Sequence, residues 1–150
     1  YPKIVIDDEN KVSPIDKFTP LYKNSKNIKI VQDAMFASTN EVRGTSYKSR
    51  IDDPKYQFAG KTGTAQVKKI TERDRELDLK TFQIPYEERD HALYIAYGPY
   101  KNPRYAVSIL VEHGGNGSTT AAPMAKKLFK TIIDRHQLRE SINNKKYLDI

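Results

Sequence analysis

A β-strand is predicted by the residues Tyr56-Gln57-Phe58-Ala59-Gly60-Lys61-Thr62-Gly63-Thr64-Ala65-Gln66-Val67, which carry one cation, two threonine hydroxyls and two glycines. Side chains alternate along a strand, so Lys61 and Gly63 are expected on one face and Thr62 and Thr64 on the other. The cation and the hydroxyls suit a carboxylate, and a free strand edge can pair with a peptide. We therefore expect this strand to form one wall of an active site.

Two simpler interpretations of the same residues compete with an active site. The tripeptide Lys61-Thr62-Gly63 also fits an ordinary glycine-containing edge strand, because three residues recur by chance. Gly60-Lys61-Thr62 ends like a phosphate-binding P-loop, but that motif requires a glycine five residues before Gly60. That position holds Lys55, and no helix is predicted after Thr62. The sequence therefore argues against a phosphate loop.

The composition excludes several classes of function. The 26 basic residues outnumber the 19 acidic ones, for a formal net charge of +7, but they are spread along the chain. No nucleic-acid-binding module is recognisable, so we expect no nucleic-acid partner. The chain has no cysteine, and its three histidines lie far apart without metal-ligand spacing. We expect no metal and no cofactor. No apolar run is long enough to span a membrane.

The C-terminal half predicts a hairpin followed by a helix. Residues 91–99 and 105–112 are apolar runs around a short turn rich in glycine, proline and asparagine, which indicates two antiparallel strands in the middle of a sheet. Residues 118–120 provide a helix N-cap and Pro123 fits the first turn of the helix that follows. We expect this helix to lie across the sheet and residues 138–150 to form a frayed tail.

The remaining segments are less regular. Residues 1–24 are expected to be an irregular lead-in with a short β-like run at 4–6. Residues 27–41 predict a helix that Asn27 could cap. Residues 68–90 are highly charged without apolar periodicity, and we expect an exposed excursion with short helical turns.

Several motifs, in this order, carry a resemblance to a known family. They are Val31-Gln32-Asp33-Ala34-Met35, Asn40-Glu41, Gly44-Thr45, the ten residues Phe58–Val67, Glu88-Arg89-Asp90-His91-Ala92-Leu93, Ala96-Tyr97-Gly98-Pro99, Asn102-Pro103, Ala106-Val107 and Val111-Glu112-His113-Gly114-Gly115. Over about residues 25–137 the chain resembles the C-terminal half of the transpeptidase domain of class B penicillin-binding proteins. It is most similar to the elongation-type penicillin-binding protein 2 group.

The resemblance implies an α/β (α+β) fold of the serine transpeptidase and β-lactamase kind, with an antiparallel sheet and a C-terminal helix packed on it. It also implies a peptidoglycan D,D-transpeptidase that cross-links stem peptides, binds β-lactams and acts at the periplasmic face of the bacterial inner membrane. The family uses Ser-x-x-Lys, Ser-x-Asn and Lys-Thr-Gly motifs. By that match Lys61 gives electrostatic support to the nucleophile. Thr62, Gly63 and Thr64 bind substrate, and the Thr64 N–H belongs to the oxyanion hole.

The chain departs from the family pattern at the nucleophile. No serine has a lysine three positions later, and Thr45-Ser46-Tyr47-Lys48 has threonine in place of serine. Ser-x-Asn occurs three times, at Ser25, Ser38 and Ser141, which shows how unspecific that pattern is. We therefore expect the nucleophile and the membrane anchor to come from a missing N-terminal part, and this chain to be inactive alone. We also expect it to self-associate through the sheet face that this part would cover.

Two alternatives stay open at the level of the sequence. A D,D-carboxypeptidase or a serine β-lactamase would carry the same Lys-Thr-Gly strand. A non-enzymatic basic binding module would instead bind nucleic acid or anionic lipid in a salt-dependent way.

Overall fold

The chain folds as a three-stranded sheet with two helices. The computed structural model describes residues 22–69 and 79–146; the expected β-like run at 4–6, most of the lead-in, residues 70–78 and the last four residues lie outside this part. The elements are α1 (Ser25–Asn40), β1 (Ala59–Ala65), β2 (His91–Gly98), β3 (Tyr105–Val111) and α2 (Ala121–Lys146).

The sheet is antiparallel throughout, in the order β1-β2-β3. Lys61 pairs with Ile95, and Ile95 pairs with Ser108, so β2 occupies the centre and carries both neighbours. This arrangement confirms the predicted antiparallel sheet and its hairpin. Of the strands described, β1 and β3 form the two edges.

The core lies between the sheet and α2. The inward face of this helix is made almost wholly of small and aromatic side chains that are buried, namely Ala121, Ala122, Ala125, Phe129 and Ile133. Phe58 stacks on Phe129 with ring centroids 5.0 Å apart and meets Tyr94 edge-on at 6.4 Å. Alanines allow the helix axis to approach the sheet closely, so the C-terminal helix packs on the sheet as expected.

The first strand is shorter than predicted. Residues 56–58 precede β1, which begins at Ala59. The physical reason is that Phe58 is fully buried among the core rings, and its carbonyl accepts a hydrogen bond from Asn40 instead of from a neighbouring strand. The predicted strand therefore included the buried residue Phe58, which precedes β1 and is not part of it.

Two helix limits also differ from expectation. Helix α1 begins earlier than position 27 because Asn24, not Asn27, is the N-cap, its side chain accepting from the N–H of Lys26. The predicted frayed tail is wrong over residues 138–146, since α2 continues to Lys146. Glu140 accepts hydrogen bonds from Arg104 and His136, each at 2.9 Å, which ties this part of the helix to the turn between β2 and β3.

The described part of the charged stretch contains two short 3-10 turns, Thr81–Gln83 and Tyr86–Glu88. A salt bridge of 2.6 Å joins Lys68 to Glu88, so the end of β1 and the start of β2 are linked at the surface. Both side chains lie at the surface, 43% and 45% exposed, and such pairs add little stability.

In the part of the chain that the structure describes, the sheet face opposite α2 is open, and its apolar side chains lie beside Lys61 and Ser108. Ile95 on β2 and Leu110 on β3 lie on this face and are 52% and 58% exposed. Strand alternation places Leu93 beside them. Apolar patches of this kind mark surfaces that other polypeptide covers.

We expect the isolated chain to self-associate through this face. Replacing Ile95 and Leu110 together by lysine should give a monomer, because the charged side chains cannot be buried in an interface. Leu138→Lys, at a site 61% exposed on α2, is the matched control and should leave association unchanged. Sedimentation velocity measures the outcome. A monodisperse, well-folded monomer of the unaltered chain would contradict the expectation.

Candidate active site

The Lys-Thr-Gly residues meet at the free edge of β1. The Lys61 ammonium lies 2.9 Å from the carbonyl oxygen of Thr62 and 3.4 Å from its hydroxyl oxygen. Lys61 is exposed and Thr62 is half-buried. The structure therefore brings the cation and one hydroxyl together beside a strand edge, where both can reach a ligand.

The pairing of β1 with β2 determines which backbone groups of β1 face the free edge. Gly60 directs its N–H and its carbonyl away from β2, because both lie within hydrogen-bond distance of the Thr39 hydroxyl in α1. Alternate residues of an antiparallel strand point their backbone groups to the same side. The N–H groups of Thr62 and Thr64 consequently face the free edge, while Gly63 pairs with Leu93 of β2.

Helix α1 covers the first part of that edge with its last turn. The Thr39 hydroxyl accepts from the N–H of Gly60 at 3.0 Å and lies 3.3 Å from its carbonyl oxygen. The side-chain amide of Asn40 donates to the carbonyl of Phe58 at 3.0 Å. These contacts take the place of a neighbouring strand as far as Gly60, and the described residues leave the edge open from Thr62 onward.

The buried phenol of Tyr94 contacts the same last turn of α1. The hydroxyl of Tyr94 lies 2.9 Å from that of Thr39 and 3.1 Å from that of Ser46. Burial raises the pKa of the Tyr94 phenol, and the hydrogen bonds from Ser46 and Thr39 offset part of the rise. Burial disfavours the charged phenolate, so Tyr94 stays neutral at ordinary pH.

The serine motifs occupy structural positions. Ser38 begins the triplet that ends α1, where Thr39 and Asn40 hold β1 as described. Ser46 is 1% exposed and donates to the carbonyl of Ser38 at 3.0 Å, so its hydroxyl is not accessible to a substrate. Ser25 is the first residue of α1, and Ser141 belongs to α2. None of these serines lies beside Lys61 as an open nucleophile.

The sequence did not indicate the roles of Thr39, Asn40 and Thr45. Each is a common polar residue near the end of a predicted helix, and such residues usually face solvent. A weak signal was available, because Ser, Thr and Asn side chains readily bond to backbone groups at helix ends. Within residues 22–69 and 79–146 no cluster of His, Asp or Glu could hold a metal ion, and no helix there is long and apolar enough to cross a membrane.

A sheet with a C-terminal helix and a Lys-Thr-Gly edge strand is the C-terminal part of a serine transpeptidase-type domain. The chain matches the penicillin binding protein transpeptidase domain family over residues 2–133, and it belongs to that family. It is 37% identical over 105 residues to the peptidoglycan D,D-transpeptidase MrdA of Salmonella typhimurium, covering 70% of this chain and 16% of that protein. The corresponding protein of Haemophilus influenzae is 39% identical over 101 residues, or 67% of this chain and 15% of the relative.

Two solved structures are similar in fold as well as in sequence. One is penicillin-binding protein PBP2 of Helicobacter pylori in complex with MreC, with a TM-score of 0.59 and 31% identity over 80% of this chain and 20% of that one. The other is PBP2 of Pseudomonas aeruginosa in complex with WCK 5153, with a TM-score of 0.58 and 30% identity over 79% of this chain and 23% of that one. The chain thus spans about a sixth of the length of the curated relatives and up to about a quarter of the solved ones.

We predict that Gly60→Ala destabilises the chain strongly while Gly63→Ala does not. A Cβ at Gly60 would lie 2.4 Å from the hydroxyl of Tyr94, whose ring is held in place by buried hydrogen bonds, whereas a Cβ at Gly63 would lie 3.2 Å from the Cβ of Leu93. Overpacking of this kind costs about 1–3 kcal/mol of unfolding free energy. Urea unfolding followed by circular dichroism compares the two variants. Equal midpoints would show that Tyr94 can move aside.

Proposed function

We propose that the chain is the Lys-Thr-Gly half of the transpeptidase domain of a peptidoglycan D,D-transpeptidase. The observation that supports this most directly is the open edge of β1 from Thr62 onward, with the Lys61 ammonium beside it. The names of the curated relatives favour transpeptidation over the carboxypeptidase and β-lactamase alternatives. The basic binding module gains no support from them.

Lys61 would supply a fixed positive charge in the completed site. An ammonium within reach of both a catalytic hydroxyl and a substrate carboxylate favours the anionic species that form during acyl transfer. In this structure the ammonium is bound to the Thr62 carbonyl at 2.9 Å, an exposed and therefore exchangeable contact. A serine hydroxyl from the rest of the domain would replace the Thr62 carbonyl as the partner of the Lys61 ammonium.

The edge of β1 would bind the substrate backbone. Thr62 and Thr64 offer hydroxyls for the carboxylate of a stem peptide or a β-lactam. Gly63, which lies between them, has no side chain that would obstruct a ligand. The N–H of Thr64 points to the free edge and would donate to the oxyanion. A peptide that pairs with this edge would lie as an added strand, as in other strand-recognition sites.

The nucleophile would come from outside these 150 residues. An acyl-enzyme requires an activated hydroxyl, and no Ser-x-x-Lys is present in the chain. The remaining part of the domain would also cover the open sheet face at Ile95 and Leu110. We place the complete protein at the periplasmic face of the inner membrane, with peptidoglycan stem peptides as substrates and β-lactams as inhibitors.

The isolated chain should not react with a fluorescent penicillin. The reason is that it contains no Ser-x-x-Lys to supply an activated serine, and Ser46 of the related Thr-Ser-Tyr-Lys stretch is buried. In-gel fluorescence after incubation measures labelling, with the full-length protein as positive control. Covalent labelling of the isolated chain would show that a hydroxyl within these residues is reactive.

In the full-length protein, Lys61→Met should slow acylation by penicillin about 100-fold, the usual effect of removing one electrostatic contact to the reacting centre. Lys101→Met, in the exposed turn after β2, removes the same charge away from the edge and should leave the rate unchanged. Stopped-flow measurement of the second-order acylation rate compares the variants. A similar rate for all three proteins would exclude an electrostatic role for Lys61.

A further inference from the structure

Thr45 contacts the Lys-Thr-Gly strand from outside the motif. Its hydroxyl oxygen lies 3.1 Å from that of Thr62 and 3.2 Å from that of Ser38 at the end of α1. Three hydroxyls therefore form a row that ends on Thr62, the residue beside Lys61. Neither the sequence nor the family motif assigns a role to the first two.

The donors and acceptors in this row can be counted. The Lys61 ammonium is donor-only, so at 3.4 Å it can only direct a proton toward the Thr62 oxygen. A threonine hydroxyl has one proton and two lone pairs. If Thr45 donates to Thr62, both lone pairs of Thr62 accept and its single proton is left for a ligand. Thr45 can donate in this way because its own oxygen can accept from Ser38.

Thr45 is held in place by its neighbours in the chain. The N–H of Gly44 donates to the carbonyl of Glu41 at 2.8 Å, and the N–H of Ser46 donates to the carbonyl of Ser38 at 3.0 Å. The Ser46 hydroxyl donates to the same carbonyl. The backbone on both sides of Thr45 is thus fixed to the end of α1. Thr45 itself is exposed, so these backbone hydrogen bonds of its neighbours help to hold it near Thr62.

We propose that Thr45, supported by Ser38, is a positioning residue that orients the Thr62 hydroxyl so that its proton points at the carboxylate of the ligand. The row Ser38-Thr45-Thr62 acts as a one-way chain of donors, in which each hydrogen bond strengthens the next. This inference rests on the proposed function, since it takes Thr62 to bind a carboxylate. It adds a specificity element that lies outside the Lys-Thr-Gly motif.

The test uses full-length protein and two ligands, a penicillin and its methyl ester, which lacks the carboxylate charge. Thr45→Val should lower the acylation rate for the penicillin about 10-fold, the upper end of the range for one lost hydrogen bond, because the Thr62 proton is no longer directed at the carboxylate. The rate for the methyl ester should stay within about 2-fold of the unaltered protein. Thr45→Ser keeps the hydroxyl and should restore the penicillin rate, and Ser38→Ala should cause a smaller loss, about 3-fold.

Thr131→Val is the matched control, because Thr131 is a threonine on the exposed side of α2 whose hydroxyl bonds only within the helix. It should change neither rate. Equal losses for both ligands in Thr45→Val would overturn the positioning role and leave the proposed function intact. No loss for either ligand would do the same. Failure of the unaltered protein to be acylated by penicillin would overturn the proposed function itself, and the positioning role with it.

Discussion

The hydrogen bonds between the Thr39 hydroxyl and the backbone of Gly60 determine how much of the β1 edge is closed. An edge strand presents unpaired N–H and carbonyl groups that either find partners or attract another strand. Thr39 and Asn40 satisfy these groups up to Gly60, at distances of 3.0–3.3 Å. From Thr62 onward helix α1 offers no such contact. The end of α1 therefore separates a closed part of the edge from an open part, which we propose binds the ligand.

The same contact explains why a large aromatic residue lies beneath a glycine. Tyr94 fills the space that a side chain at position 60 would occupy, and its hydroxyl reaches Thr39 and Ser46. The phenol thereby fixes the rotamer of the threonine that closes the edge. Buried polar groups are costly when unpaired, so a fully paired trio of hydroxyls holds one arrangement. The described side chains contain no buried polar atom without a partner.

The sequence predicted the hairpin, the C-terminal helix and the strand with Lys61, because these features follow from apolar patterning and from local motifs. It did not predict contacts in which a polar side chain meets the backbone of a distant segment. Thr39 and Thr45 are single residues without periodicity, and their partners are 21 and 17 positions away. The strand limit at Ala59 was missed for a related reason, since Phe58 looks like a strand residue until the rings around it are known.

Several of the groups assigned to chemistry lie at the surface. Lys61, Thr64 and Thr45 are exposed, whereas Gly60 and Thr39 beside them are buried. Precise catalysis requires side chains locked by their surroundings. Here the backbone of β1 is held and the Thr62 hydroxyl has a partner in Thr45, whereas Lys61 and Thr64 remain exposed. The backbone of the strand is thus held in place, and Lys61 and Thr64 would be fixed by contacts from the remaining part of the domain. A fold that fixes the backbone first allows the site to be completed without rearranging the sheet.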